Sequence, residues 1–205
     1  SINCVEVRSM GRVAIGTVRR AVEPGELSPS PPRSNAAGAG LAGAVAWARM
    51  AGPTLLTVHA HPDDEASKGA PTCAKYHALG ARTVLVCCTG GEEGDLQNPT
   101  LREPGQPFHG LQADEERELV AKLRPSELEQ SARVIGFDEV AMLGYRDSGM
   151  PESPANLHPA SFAAADIDEA VGRLVAVIRR TQPQVIITYG DDQKGYPHPD
   201  HLRVY

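Results

Sequence analysis

The sequence holds few cysteines, no long apolar run, no excess of basic charge and no glycine-rich dinucleotide fingerprint. Four cysteines among 205 residues are too few to build a disulfide-stapled scaffold. Cys87 and Cys88 are adjacent within a strand-like run, so they point to opposite faces and are poorly placed to pair. A reduced, cytoplasmic compartment is the expectation. No stretch approaches the ~20 consecutive apolar residues of a membrane span. The run from Ala36 to Met50 is short, rich in Ala and Gly and interrupted by Arg49, and it lacks the basic start and cleavage site of a secretory signal. A net charge of -6 offers no electrostatic basis for binding nucleic acid or an anionic membrane. No G-x-G-x-x-G follows the first strand of the main domain, so dinucleotide binding has no support.

What remains is an ordinary globular composition, 41% hydrophobic and 22% charged, in a length that suits one sizeable domain. Residues 1–52 differ from the rest. Ile2 to Val18 offers a strand or two, and Glu23 to Arg33 is a Pro/Ser/Gly-rich linker. Low order is expected through about Ala51. From Thr54 the pattern changes to alternating strands and helices. Strands are expected at Thr54–Val58, Thr83–Thr89, Glu139–Leu143 and Gln184–Tyr189. Helices are expected at Ser67–Leu79, across Ala113–Ile135 with a break or restart at Pro125, and at Asp166–Thr181. This is the pattern of an α/β, Rossmann-like domain over residues 53–205, with a mainly parallel sheet and helices on both faces. In such sheets functional groups gather beyond the carboxyl ends of the strands, which here send out loops 59–66, 90–112, 144–161 and 190–201.

Two of these loops carry concentrated chemistry. The first strand runs into His61-Pro62-Asp63-Asp64-Glu65, and the last into Tyr196-Pro197-His198-Pro199-Asp200-His201. His61 and Asp64 can grip one metal ion, with His201 as the third ligand and a position left open for water. Two imidazoles and a carboxylate suit zinc and also Fe(II). Asp63, beside the ligand Asp64 but aimed elsewhere, is placed to act as general base. His198 and Tyr196 are candidates for protonating a leaving amine or stabilising an oxyanion, and Asp200 for orienting His198 or a ligand imidazole. Read singly, Asp63 or Asp64 would be expected to do no more than cap the following helix. Two His-Pro-Asp clusters, each following a buried strand of one domain, point to a metal site instead. His59, Cys73, Cys87, Cys88 and Met142 are expected to pack and His77 and His158 to sit at the surface, while His109, in a loop, is assigned no role.

Ala60-His61-Pro62-Asp63-Asp64-Glu65 after a first strand, with His198-Pro199-Asp200-His201 after a later one, resembles the LmbE-like (PIG-L) zinc deacetylase family over about Thr54 to Tyr205. The resemblance implies a Rossmann-like fold and zinc on His61, Asp64 and His201. It also implies Asp63 as base, with His198 as acid or stabiliser and Tyr196 assisting at the oxyanion. Ser67-Lys68-Gly69, Thr89-Gly90-Gly91-Glu92 and Gly195-Tyr196-Pro197-His198 look most like the branch that cleaves mycothiol S-conjugates. The sister branch deacetylates N-acetylglucosaminyl-inositol. The implied substrate is a small thiol–sugar conjugate, contacted by Asp95, Arg124, Asp147 and Met150, with Lys68 marking the amidase branch. Family members continue beyond the position of Tyr205, so the resemblance implies a domain truncated at its C-terminal end. The competing expectations are the deacetylase activity and, in a different class, an inactive metal- or sugar-binding fragment. No nucleic acid or membrane partner is expected, and the oligomeric state is left open.

Overall fold

The computed structural model of the chain describes residues 2–6, 52–190, 195 and 197–205. Within them, Ile2–Glu6 (β1), Thr54–His59 (β2), Arg82–Thr89 (β3), Glu139–Tyr145 (β4) and Val185–Tyr189 (β5) form one sheet in the order β1-β5-β2-β3-β4. The pairs β5/β2, β2/β3 and β3/β4 are parallel, and β1 adds an antiparallel edge to β5. The four strands expected from the sequence are the four parallel ones. Ile2–Glu6, which the sequence reading assigned to an extension, supplies the fifth. The low order expected through Ala51 falls on residues 7–51, outside the described residues.

The helices are Asp64–Ser67 (α1), Ala70–Ala78 (α2), Ala113–Ile135 (α3), Ile167–Thr181 (α4) and Pro199–Val204 (α5). Alternation along the two central strands sorts the core between the faces of the sheet. Leu56 and Val58 of β2, with Val84, Val86 and Cys88 of β3, face Ala170, Leu174 and Val177 of α4 and Val204 of α5. The intervening Leu55 packs with Cys73 of α2 and Ile135 of α3. Leu85 and Cys87 pack on Leu128 and Ala132 of α3. Helices therefore cover both faces, and the continuous apolar runs of β2 and β3 are the consequence of burial on both sides.

Three local expectations need correction. The helix expected from Ser67 is two pieces, because Gly69 adopts φ +96° between α1 and α2. Pro125 does not interrupt α3, which is one helix of 23 residues. Pro125 is exposed, so a carbonyl deprived of its intrahelical partner there can be hydrated. Meanwhile Val120, Leu128, Ala132 and Ile135 hold the helix to the sheet from its other side. Met142 is not core: it is 47% exposed on β4, at the edge of the sheet. Gly136 ends α3 as expected, in the left-handed region at φ +96°.

Because β2, β3, β4 and β5 are parallel, their carboxyl ends meet along one edge of the sheet, and the loops bearing the two His-Pro-Asp clusters leave from that edge. The scaffold beneath rests on fully buried residues such as Leu56. Leu56→Ala is expected to cost about 2–5 kcal/mol in unfolding free energy by urea denaturation, and a loss below about 1 kcal/mol would place Leu56 outside the effective core.

Candidate metal centre

Asp63 sets the geometry of the first cluster. Its backbone lies at φ +105°, a left-handed conformation that non-glycine residues seldom adopt. Asp63 is the N-cap of α1, yet its side chain makes no capping hydrogen bond. Its amide instead donates to the buried Glu65 carboxylate at 2.8 Å. The turn sends the neighbouring carboxylates apart. Asp64 is buried, and Asp63 stands at the cavity wall in an ion pair with Arg124 at 3.1 Å.

The second cluster arrives on α5. His198 is its N-cap, with Nδ1 accepting from the Asp200 amide at 3.2 Å, so that Asp200 and His201 fall in the buried first turn. His201 Nε2 then lies 3.3 Å from Asp64 Oδ2, and His61 Nδ1 lies 3.5 Å from the same oxygen. The ligand atoms of His61, Asp64 and His201 all fall within 4.8 Å of one another. A second set, His61, Asp147, His198 and Asp200, meets the same spacing. Its carboxylates, like that of Asp64, also serve protein donors. Asp200 accepts from the Ser148 hydroxyl at 2.5 Å and the Ser148 amide at 3.0 Å, and Asp147 accepts from the Gly149 amide at 2.8 Å.

His61 joins the two sets. Its Nε2 lies 3.1 Å from Asp200 Oδ2, so a metal ion that displaced the proton of Nδ1, the nitrogen near Asp64, would leave the remaining ring proton on Nε2. Burial works against a charged His61, but hydrogen bonds to Asp147, Asp200 and Asp64 push its pKa up to about 11. Asp64, against the effect of its burial, is held far below the usual carboxylate range by hydrogen bonds from His201, His61, Lys68 and Tyr189. The surroundings thus favour positive charge at this point, and two imidazoles with one carboxylate are a donor set that fits zinc or Fe(II). Burial raises the Asp63 carboxyl, opposed by Arg124. Burial, followed by the charge of His61, lowers His198 to about 4, which keeps that imidazole neutral.

A cavity of about 490 Å³ opens above this group. Its wall includes His61, Asp63, Asp64, His198 and His201 from the two clusters. Lys68, Asp95, Arg124, Asp147 and Met150, singled out by resemblance, line it as well. Lys68 reaches Asp64 Oδ1, and Met150 is half-exposed at the rim. Asp147 is buried, with Oδ1 3.5 Å from His61 and 3.9 Å from His198, so it faces the imidazoles as well as the cavity. Asp200 lies beneath the wall and bonds His61, one of the two partners expected for it. Tyr196 lies outside the described residues.

Two contributors escaped the sequence reading. Ser148 carries Asp200 through both its amide and its hydroxyl. Tyr189, at the end of β5, hydrogen-bonds Asp64 from across the sheet. Their sequence signal was only position, a polar residue at or just beyond the carboxyl end of a strand. His59 is buried as expected, with both ring nitrogens lacking hydrogen-bond partners among the described residues, and burial lowers its pKa to about 4.

Known proteins carry the same framework. A 1D-myo-inositol 2-acetamido-2-deoxy-alpha-D-glucopyranoside deacetylase from Thermobifida fusca is 46% identical over 155 residues, covering 74% of this chain and 51% of its own. A mycothiol S-conjugate amidase from Streptomyces coelicolor is 42% identical over 153 residues, covering 74% and 48%. The chain therefore spans about half the length of the curated relatives it matches. Among solved structures, the N,N'-diacetylchitobiose deacetylase from Pyrococcus horikoshii superposes with a TM-score of 0.52 at 25% identity, covering 74% of this chain and 46% of that one. The family model described as PIG-L, GlcNAc-PI de-N-acetylase, matches residues 56–205, from the second residue after the start of β2 through α5 and both clusters, and the chain belongs to that family.

Proposed function

We propose that this chain carries the metal site and catalytic groups of a hydrolase that cleaves the amide of a mycothiol S-conjugate, releasing glucosaminyl-inositol and a mercapturic acid. The observation that carries the reading is a division of labour between adjacent carboxylates. Asp64 is buried among the imidazoles of His61 and His201, while Asp63 stands at the cavity wall in an ion pair with Arg124. A zinc ion held by His61, Asp64 and His201 supplies Lewis acidity, which polarises a carbonyl and acidifies water; Fe(II) suits the same donors.

The protein groups then follow the protons. Asp63 accepts a proton from water as its oxygen attacks the amide carbon. His198 Nδ1 already accepts from the Asp200 amide, so its proton sits on Nε2, and from the cavity wall the imidazole can donate to the developing oxyanion or to the departing nitrogen. The C–N bond breaks as the nitrogen takes a proton and leaves as an amine. Asp200, fixed by Ser148, keeps His61 in one tautomer throughout. Asp95, Arg124 and Met150 line the part of the cavity that would receive the sugar and inositol hydroxyls. Lys68 in the cavity wall supports the amidase over the deacetylase, since it belongs to the stretch that resembles the amidase branch. The deacetylase reading is favoured by the Thermobifida fusca relative. Buried, unpaired Cys73, Cys87 and Cys88 support a reducing compartment.

With zinc supplied, mercapturate release from a mycothiol S-conjugate is expected to exceed acetate release from N-acetylglucosaminyl-inositol in side-by-side assays. The reverse ranking would transfer the chain to the deacetylase branch, and no turnover of either would support the binding-fragment reading. Asp63→Asn is expected to lower kcat by about 10²–10⁴-fold while zinc stoichiometry stays unchanged, and undiminished kcat would remove Asp63 as the base. Treatment with a strong chelator should abolish turnover, and added zinc should restore it. Activity that survives complete metal removal would contradict the metal-dependent reading.

A further inference from the structure

Tyr189 closes β5 and is buried, with no place in the cavity wall. Its hydroxyl accepts the Ala60 amide at 2.8 Å. That contact directs the hydroxyl proton to its other neighbour, Asp64 Oδ2. This is the oxygen that faces both His201 Nε2 and His61 Nδ1. The Tyr189 ring also stacks on the His201 imidazole, with centroids 4.6 Å apart and planes at 21°. One side chain therefore touches two members of the donor set, which enter from α1 and α5. The ring is itself braced edge-on by His59, at 5.9 Å and 75°. His59 is buried and its nitrogens have no hydrogen-bond partner among the described residues, so what it contributes here is packing.

We propose that Tyr189 is a positioning residue for the metal: its hydroxyl fixes the Asp64 carboxylate and its ring fixes the His201 imidazole at one separation. The proposal rests on reading His61, Asp64 and His201 as the ligands. Tyr189 acts through those ligands and does not touch substrate. A ligand carboxylate left free to rotate must be ordered when metal binds, and the loss appears as weaker affinity. The hydroxyl and the ring make separate contributions, because one engages Asp64 and the other His201.

The test is zinc affinity, measured by competition with a chromophoric chelator, alongside the unfolding midpoint of each metal-free protein. Tyr189→Phe keeps the stack and loses both hydrogen bonds of the hydroxyl, to Asp64 and from the Ala60 amide, and is expected to weaken zinc binding by about 10–100-fold. Tyr189→Leu loses the stack as well and should bind more weakly still. Tyr145→Phe is the control. It also removes a buried tyrosine hydroxyl, one that bonds Glu169 and no candidate ligand, and it should leave the zinc dissociation constant unchanged. A Tyr189→Phe constant within about twofold of wild type, or an equal weakening in Tyr145→Phe, overturns the proposal. Should the Tyr189 variants fail to fold, wild-type protein labelled with 13Cζ-tyrosine answers the same question. Zinc should shift the Tyr189 resonance along the same binding curve, and an unmoved resonance overturns the role. A wild-type chain that binds no zinc would remove the ligand assignment along with it, whereas zinc binding with equal affinity in Tyr189→Phe would remove Tyr189 alone.

Discussion

A carboxylate taken almost wholly out of water is the constraint on which this structure turns. Asp64 is 3% exposed, and a buried charge costs several kcal/mol unless it is surrounded by donors and opposite charge. Its donors come from separated parts of the chain. The His61 amide and imidazole come from the end of β2, the Lys68 ammonium from just after α1, the Tyr189 hydroxyl from β5 and the His201 imidazole from α5. These groups converge because parallel strands end on one edge, so the topology of the sheet is what makes the burial tolerable. The same convergence that stabilises the carboxylate creates a point that favours a cation.

The second constraint is local. Adjacent residues in a helical first turn would normally both be drawn into capping it. The left-handed backbone of Asp63, a conformation worth about 1–3 kcal/mol of strain, prevents that. It turns one carboxylate inward and leaves the other at the cavity wall. The surroundings that hold the strain are visible: the Asp63 amide is tied to Glu65, and Arg124 holds both the Pro62 carbonyl and the Asp63 carboxylate. Strain of this kind persists where neighbours over-determine the backbone, and here it separates the proposed ligand Asp64 from the proposed base Asp63.

Much of the fold was legible because its strands are buried on both faces. A run such as Thr83–Thr89 has few other structural solutions, and the amphipathic stripe of Asp166–Thr181 is unambiguous. Pro125 misled because local propensity was set against tertiary packing that the sequence does not display. Gly69 was overlooked because a glycine in an otherwise helical stretch gives no sign of whether it will adopt positive φ. In the site, His61, Asp64 and His201 announced themselves by residue type. Arg124, Asp95 and Met150 did not. An arginine within a helix and a methionine in a loop look the same in solvent as in a cavity wall, and resemblance alone pointed to them. Tyr189 and Ser148 were illegible for another reason. Their partners lie 125 and 52 residues away, and only the assembled sheet edge brings them together.

The loops at that edge are joined to one another by polar contacts more than by apolar packing. The Ala60 amide is held by Tyr189 and its carbonyl by Thr89. The Asp147 amide is tied to Glu92, Arg146 to Glu93, and Ser148 to Asp200. Each bond ties a loop to a segment distant in sequence and is directional, so the framework tolerates little displacement of any one of them. Relatives named for amide cleavage of a thiol conjugate and for deacetylation match this chain over nearly the same length, at 42% and 46% identity. A buried framework compatible with both reactions is a poor place for the distinction between them. The positions free to vary without disturbing the bonded loops are those that face the cavity with part of their surface in solvent and hold no proposed ligand, Asp95 and Met150 among them. Under the proposed function, the choice of acyl group is therefore best sought at the rim, where a substitution alters what the cavity accepts and leaves the proposed ligands and base where they are.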